Sequence, residues 1–180
     1  MTAHNEYIRS LIGDQRSLVI TCLECCFDIE QRGDGNAFRY TALANALNPE
    51  DQLQREALRA FVEFKACSQI IVAGHYDCHA LDYILNEKHT GSPIKSIQPQ
   101  LHLLASNNYV CHLQARARKD AVVELNVIHQ CKTLIAMFDF SKRIDAGTLT
   151  IRGVVIDQRR KSNKQIFYNG FSYNHLISAN

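Results

Sequence analysis

The sequence predicts an α/β fold, with a mainly parallel central sheet, helices on both faces and an antiparallel edge strand. Short β-branched apolar runs, typical of buried parallel strands, alternate with segments whose apolar residues repeat at helical spacing. This alternation predicts a parallel sheet covered by helices. Near the C terminus, two strand-like runs are separated only by a short polar segment, which predicts an antiparallel hairpin instead.

The N-terminal elements follow from local patterns. Residues 5–13 predict a short helix, and the run SLVIT at 17–21 predicts a buried strand that delivers Cys22 at its carboxyl end. The glycines and polar residues of 28–36 predict a loop, and AFRYT at 37–41 predicts a second strand.

A longer helix is predicted from Asn48 to about Cys67. Asn48 is a suitable cap and Pro49 suits the first turn. An apolar stripe is expected to face the core. Its members are Leu53, Ala57, Leu58, Ala60, Phe61 and Phe64.

The stretch QIIVAGHYDCHALDYIL at 69–85 combines a strand with candidate metal ligands. Ile70 to Ala73 predict a buried strand, Gly74 breaks the run, and a helical pattern follows Cys78. His75 and Cys78 are three residues apart, so they would share one face of a helical first turn. A helix N-terminus also favours the thiolate form of Cys78, which is the form that binds metal.

The C-terminal elements are read in the same way. Residues 89–100 contain Gly91, Pro93 and Pro99 and predict a loop, whereas 101–113 fit a strand or a helix. Residues 120–138 predict the longest helix. Residues 148–157 predict a strand, on which 165–168 pair back across the polar turn at 159–164.

Composition limits the classes of protein and partner. A chain of 180 residues predicts one domain over 1–180, with 1–16 as an N-terminal arm and 171–180 as a C-terminal tail. The net charge of +2 and the short basic clusters indicate solvated faces rather than a nucleic-acid surface. No apolar run approaches the roughly 20 residues of a membrane span, and no secretory signal pattern is seen, so we expect a cytoplasmic protein. Seven cysteines in a reducing compartment predict thiols or metal ligands rather than disulfides.

Three candidate ligands follow two predicted parallel strands. Cys22 ends the first strand, and His75 and Cys78 follow the other. If those strands are neighbours, their carboxyl ends lie about 5 Å apart and the three side chains converge. Two thiolates and one imidazole suit Zn²⁺, and with a fourth position open, zinc lowers the pKa of bound water to about 7.

Two short motifs resemble those of a known family. The first predicted strand leads into Cys22-Leu23-Glu24-Cys25-Cys26, which resembles the Cys-x-Asp-x-Arg motif of the β-class carbonic anhydrases. The later strand leads into Gly74-His75-Tyr76-Asp77-Cys78, which resembles the Gly-His-x-x-Cys motif of that family. The chain resembles that family over roughly 17–168, including Glu124-Leu125-Asn126-Val127 and the strand at 151–157.

The resemblance implies a zinc site, an activity and an assembly. Cys22, His75 and Cys78 would bind one zinc ion per chain, in a single β-carbonic-anhydrase-like domain. Zinc-bound hydroxide would attack carbon dioxide to give bicarbonate. The resemblance also implies a homodimer or higher homo-oligomer, with each active-site cleft at a subunit interface.

The chain departs from the family motif at two positions that handle the proton. Glu24 stands where the family has Asp, and Cys26 stands where it has Arg. A thiol cannot replace a guanidinium, which presents several donors in a fixed fork.

Three interpretations therefore stay open. In the first, the chain is an active hydratase in which Glu24 orients the zinc-bound water. In the second, Glu24 or Cys25 closes the zinc site, and the protein is a homologue with little or no hydratase activity and a structural or regulatory role. In the third, Cys22 and Cys25 form a thiol redox pair.

Overall fold

The sheet has six strands in the order β2-β1-β3-β4-β5-β6. It is seen in a computed structural model that describes residues 3–25, 35–86 and 94–172. The strands are β1 (Ser17–Cys22), β2 (Ala37–Ala42), β3 (Gln69–His75), β4 (Thr150–Asp157), β5 (Ser162–Tyr168) and β6 (Phe171–Ser172).

The pairing confirms the predicted fold class. The strands β2, β1, β3 and β4 are parallel to their neighbours, whereas β5 and β6 are added antiparallel at one edge. The strands β1 and β3 are buried along their whole length, as expected for the centre of a covered parallel sheet. The carboxyl ends of β1, β3 and β4 therefore lie side by side at the same end of the sheet.

Seven α-helices and a short 3-10 helix (Leu43–Asn45) are found in the described residues, and one of the α-helices is central. They are α1 (Ala3–Ile12), α2 (Gln52–Phe64), α3 (His79–Asn86), α4 (Ile94–Ala105), α5 (Asn108–Cys111), α6 (Ala115–Phe138) and α7 (Ser141–Asp145). The helix α6 packs on β3, β4 and β5, and also on α4 and α5. The helix α1 buries Ile8 and Ile12 in the core.

Two glycines let α6 approach the sheet closely. A Cβ atom on Gly74 of β3 would lie 2.5 Å from Val127 Cγ2 of α6. On Gly153 of β4 it would lie 3.0 Å from Val127 Cγ1, 3.0 Å from Cys131 Sγ and 2.9 Å from Phe167 Cβ. Neither position has room for a side chain, so the contact between helix and sheet requires glycine at both.

The helix α6 is also long and apolar enough, by length and composition alone, to cross a membrane. No such run was expected from the sequence. In the fold, 61% of its most apolar window is buried against the rest of the chain, which is the arrangement of a core helix.

The predicted start and apolar stripe of α2 are wrong in part. The helix begins at Gln52, and Asp51 is its cap, because the Asp51 side chain accepts a hydrogen bond from Gln54 N. Asn48 instead accepts from Glu50 N, which makes a turn before the helix.

The core-facing side of α2 is narrower than predicted. Leu58 and Val62, one turn apart, are the buried residues, and Val62 was not in the predicted stripe. Leu53 and Phe64 are 81% and 87% exposed. The predicted stripe is therefore wider than the face that packs against the fold.

The predicted loop at 89–100 is wrong from Ile94 onward, where α4 begins, and residues 89–93 lie outside the described residues. Pro99 lies inside α4, where it removes one backbone hydrogen bond. Ile97 and Leu101, at helical spacing, are buried, so core packing outweighs that loss.

The remaining boundaries differ less. The ambiguous segment 101–113 is helical in α4 and α5, and α6 begins at Ala115, five residues before the predicted start. The hairpin of β4 and β5 is confirmed, with β5 beginning at Ser162. Of the predicted loop at 28–36, only Gly35 and Asn36 are described, and neither is in a helix or strand.

Candidate metal centre

The carboxyl ends of β1 and β3 bring four potential ligands together. The strands are parallel neighbours in which Thr21 pairs with Ala73, so Cys22 and the residues after β3 reach the same edge of the sheet. One ligand atom from each of Cys22, Glu24, His75 and Cys78 lies within 4.8 Å of all the others. We call these four residues the candidate metal centre.

His75 and Cys78 do not share a helical turn, so that prediction was wrong. The strand β3 continues through Gly74 to His75, and α3 begins only at His79. Between them, Asp77 adopts a left-handed conformation with φ of 60°, and this turn places Cys78 beside His75. Gly74 does not end the strand. It lies inside β3, where its missing side chain allows Val127 of α6 to pack closely.

The His75 ring is oriented as a metal ligand would be. Its Nδ1 lies 3.1 Å from the backbone carbonyl of Tyr76. A carbonyl can only accept, so Nδ1 carries the proton and Nε2 keeps its lone pair whenever the ring is neutral. Nε2 is buried and has no hydrogen-bond partner among the described residues. An orphaned nitrogen of this kind is what a metal ion would satisfy.

The two sulfur ligands are close enough to affect each other's protonation. Cys22 Sγ and Cys78 Sγ are 3.7 Å apart and buried. Hydrogen bonding from Cys78 lowers the pKa of Cys22 to about 4 despite burial, and the same pair raises the pKa of Cys78. Burial lowers the pKa of His75, but the neighbouring Cys22 and Cys25 sulfurs outweigh that effect and raise it to about 10. These side chains share protons within one buried cluster, so a cation that binds there competes with protons for the same ligand atoms.

Glu24 lies at the edge of this centre and is about one third exposed. Its Oε2 accepts a hydrogen bond from the backbone N of His79 (2.9 Å), which is the first residue of α3. The same oxygen is 3.9 Å from His75 Nε2. The start of α3 therefore holds the carboxylate facing the ligands, where a helix N-terminus favours negative charge.

The other cysteines of the first motif are placed differently. Cys25 is buried but is not one of the four residues whose ligand atoms converge. The sulfur of Cys22 faces Cys78, which does not favour the interpretation of Cys22 and Cys25 as a redox pair. Position 26, where the family has Arg, lies outside the described residues.

A buried amide network behind the centre was missed in the sequence. Asn45 Nδ2 donates to Ala73 O (3.0 Å), and Asn126 Nδ2 donates to Ala44 O (2.7 Å). Gln130 then bridges Asn126 and the backbone N of Leu47. These contacts hold the turn after β2 against β3 and α6. The sequence signal that could have revealed Asn126 and Gln130 is the presence of polar residues on the buried face of α6.

A second polar cluster lies beside the centre, on the side of β4. The buried carboxylate of Glu124 accepts from Tyr76 OH (2.5 Å) and from Lys164 Nζ (3.1 and 3.2 Å). Asp77 forms an ion pair with Arg159. Burial raises the pKa of Tyr76, and Glu124 raises it further, so this phenol stays protonated as a donor. The Tyr76–Glu124 hydrogen bond and the Asp77–Arg159 ion pair fix the turn between His75 and Cys78.

The donor set fits zinc. Two thiolates bound at about 2.3 Å in a tetrahedral site lie about 3.8 Å apart, close to the observed 3.7 Å between the Cys22 and Cys78 sulfurs. A nitrogen and an oxygen ligand in the same site lie about 3.3 Å apart, which is shorter than the 3.9 Å from His75 Nε2 to Glu24 Oε2. The sulfurs therefore already have the spacing of ligands, and Glu24 is slightly farther out.

Comparison with known proteins identifies relatives of this arrangement. A family model described as carbonic anhydrase matches residues 17–161. The β-carbonic anhydrase CafD of the fungus Aspergillus fumigatus is 26% identical, with a TM-score of 0.68 over 85% of this chain and 90% of that one. A comparison with curated protein sequences gave no match.

Two more distant structures support the fold alone. One of two tetrameric β-carbonic anhydrases from Sordaria macrospora is 19% identical, with a TM-score of 0.72 over 91% of this chain and 87% of that one. A Coccomyxa β-carbonic anhydrase, solved in complex with acetazolamide, is 22% identical, with a TM-score of 0.69 over 89% and 76%.

Proposed function

Because the chain belongs to the β-class carbonic anhydrase family, we propose that it binds one zinc ion per chain through Cys22, His75 and Cys78 and hydrates carbon dioxide reversibly to bicarbonate. The observation that carries this proposal is the convergence of the Cys22 and Cys78 sulfurs with His75 Nε2, which has no hydrogen-bond partner among the described residues. When bound, zinc supplies the Lewis acidity that makes hydroxide available near neutral pH.

The protein residues provide orientation and a hydrogen-bond acceptor. The Glu24 carboxylate faces the ligands and is held by His79 N, so it can accept a hydrogen bond from the attacking water and direct an oxygen lone pair towards the carbon. The water oxygen forms a bond to the carbon of carbon dioxide, one C=O π pair moves onto oxygen, and the proton leaves for solvent. Glu24 is thus the proposed catalytic residue.

A second candidate function is favoured by the position of the same carboxylate. A Glu24 oxygen lies within 4.8 Å of the other three ligand atoms, so a shift of less than about 1 Å would bring it to ligand distance. A site closed in this way would make the chain a zinc-binding homologue with little hydratase activity and a structural or regulatory role.

Stopped-flow hydration of carbon dioxide by the zinc-loaded protein tests both functions. We expect the wild-type rate to exceed that of buffer, and Glu24→Gln to lower kcat about ten- to a hundredfold, because the oriented acceptor is lost. The matched control is Glu63→Gln, an exposed acid on α2, which should leave kcat unchanged. If Glu24 closes the site instead, the wild type will not exceed buffer, and Glu24→Ala will gain activity.

We further propose that the chain forms a homodimer or a higher homo-oligomer. Family membership supports this proposal, and the Sordaria macrospora relatives are described as tetrameric. Light scattering coupled to gel filtration should give at least twice the chain mass of 20.4 kDa. A mass of one chain at micromolar concentration would contradict it.

A further inference from the structure

The turn at 22–25 carries two members of the candidate metal centre, and something must hold it in place. Cys22 ends β1, and the backbone N of Cys25 donates to Cys22 O, which closes a tight turn around Glu24. In the family motif a guanidinium stands two residues after the carboxylate, but here that position is Cys26, whose thiol offers no comparable donors. Within the described part of the turn, the backbone N of Cys25 and that of Glu24 both hydrogen-bond to Cys22, and these local contacts do not tie the turn to the neighbouring strand.

A guanidinium reaches this turn from the neighbouring strand instead. Arg39 lies on β2 and pairs with Val19 of β1. Its Nη2 donates to the backbone carbonyl of Cys25 (2.7 Å), and its Nε donates to Thr21 Oγ1 (3.3 Å). One rigid fork therefore binds the residue immediately before Cys22 and the residue immediately after Glu24.

The geometry of these two bonds suits positioning. The bond to Cys25 O is short, as expected when the donor is charged, and it is partly buried, where such bonds are stronger than in water. Thr21 is fully buried at the end of β1, so it gives the guanidinium a fixed anchor. From the other side, His79 N holds the Glu24 carboxylate. The backbone and the side chain of the turn are thus fixed by different elements.

We propose that Arg39 is a positioning residue of the candidate metal centre, which fixes the turn at 22–25 so that Cys22 and Glu24 meet His75 and Cys78. It supplies from β2 a guanidinium that the motif position at Cys26 lacks. This inference rests on the proposed function only in that the centre binds zinc. It holds for an active hydratase and for a closed site alike.

Arg39→Met and Arg39→Lys test the proposal. We expect Arg39→Met to weaken zinc binding about ten- to a hundredfold in a chelator competition, because the ligands lose their support. Lysine keeps one charged donor but not the fork, so Arg39→Lys should recover part of the affinity. The matched control is Arg59→Met, a half-exposed arginine on α2 that pairs with Glu56, and its zinc affinity should not change.

Cobalt substitution separates positioning from a merely structural role. The visible d–d absorption of bound Co²⁺ reports the ligand set and its geometry, and it should change in Arg39→Met at saturating metal. Wild-type affinity in that variant, or a wild-type cobalt spectrum once the site is saturated, would overturn the proposal. If Arg39→Met does not fold, Arg39→Lys is judged by the same two readouts.

The outcomes also distinguish this inference from the proposed function. A wild-type chain that binds no zinc would contradict both proposals. A wild-type chain that binds zinc without hydrating carbon dioxide would contradict only the hydratase proposal. In that case the zinc affinity and the cobalt spectrum of the Arg39 variants still decide the role of Arg39.

Discussion

Replacement of Cys78 by serine is expected to lower the zinc content from near one ion per chain to near zero. A serine hydroxyl at neutral pH is a poor zinc ligand, whereas a cysteine thiolate is a preferred one. Cys78 is also half of the sulfur pair whose 3.7 Å spacing already matches a tetrahedral site. Loss of Cys78 removes one of three protein ligands and one of the two thiolate charges that balance the cation.

Metal analysis after gel filtration measures this effect, and the chain offers a close control. Cys111 is an exposed cysteine whose Sγ contacts Ser106 O, and it takes no part in the centre. Cys111→Ser should therefore keep the wild-type zinc content. Circular dichroism of both variants separates metal loss from unfolding. One zinc per chain in folded Cys78→Ser would show that Cys78 is not a ligand.

The residue types of the centre could be predicted from sequence, but their geometry could not. Cys22 and His75 each end a buried strand, and neighbouring parallel strands bring such ends together. The turn that brings Cys78 to His75 depends on a left-handed Asp77, which no local pattern indicates. The role of Arg39 could not be predicted for a different reason. Its contact with Cys25 O depends on the register of β2 against β1.

Fold elements were missed where packing overrode local signals. Gly91, Pro93 and Pro99 predict a loop, yet Ile97 and Leu101 are buried and stabilise α4. For α2, Asn48 is a good cap by residue type, but Asp51 is the residue whose side chain meets a free backbone N–H. In each case the deciding contact forms only in the folded chain.

Gly74 is the position where fold and site constrain each other most strongly. Its absent side chain lets α6 pass within van der Waals contact of β3, and the next residue is His75. Gly74→Ala would place a Cβ atom 2.5 Å from Val127 Cγ2, which is too short for any packed pair. We expect the free energy of unfolding to fall by about 3 kcal/mol, the upper range for an overpacked core. Zinc affinity should fall as well, because the shift needed to relieve the contact moves the end of β3.

A double-mutant cycle with Val127→Ala identifies the clash as the cause. Val127→Ala alone should cost about 1–3 kcal/mol through lost burial, but the double variant should be more stable than the sum of the two costs, by about 1 kcal/mol or more. The same cycle with Gly153→Ala should show a smaller rescue, because Phe167 Cβ, 2.9 Å from the new methyl group, remains in place. Urea denaturation of the metal-free variants measures these differences. Strict additivity at Gly74 would mean that the glycine serves the turn to His75 rather than the approach of α6.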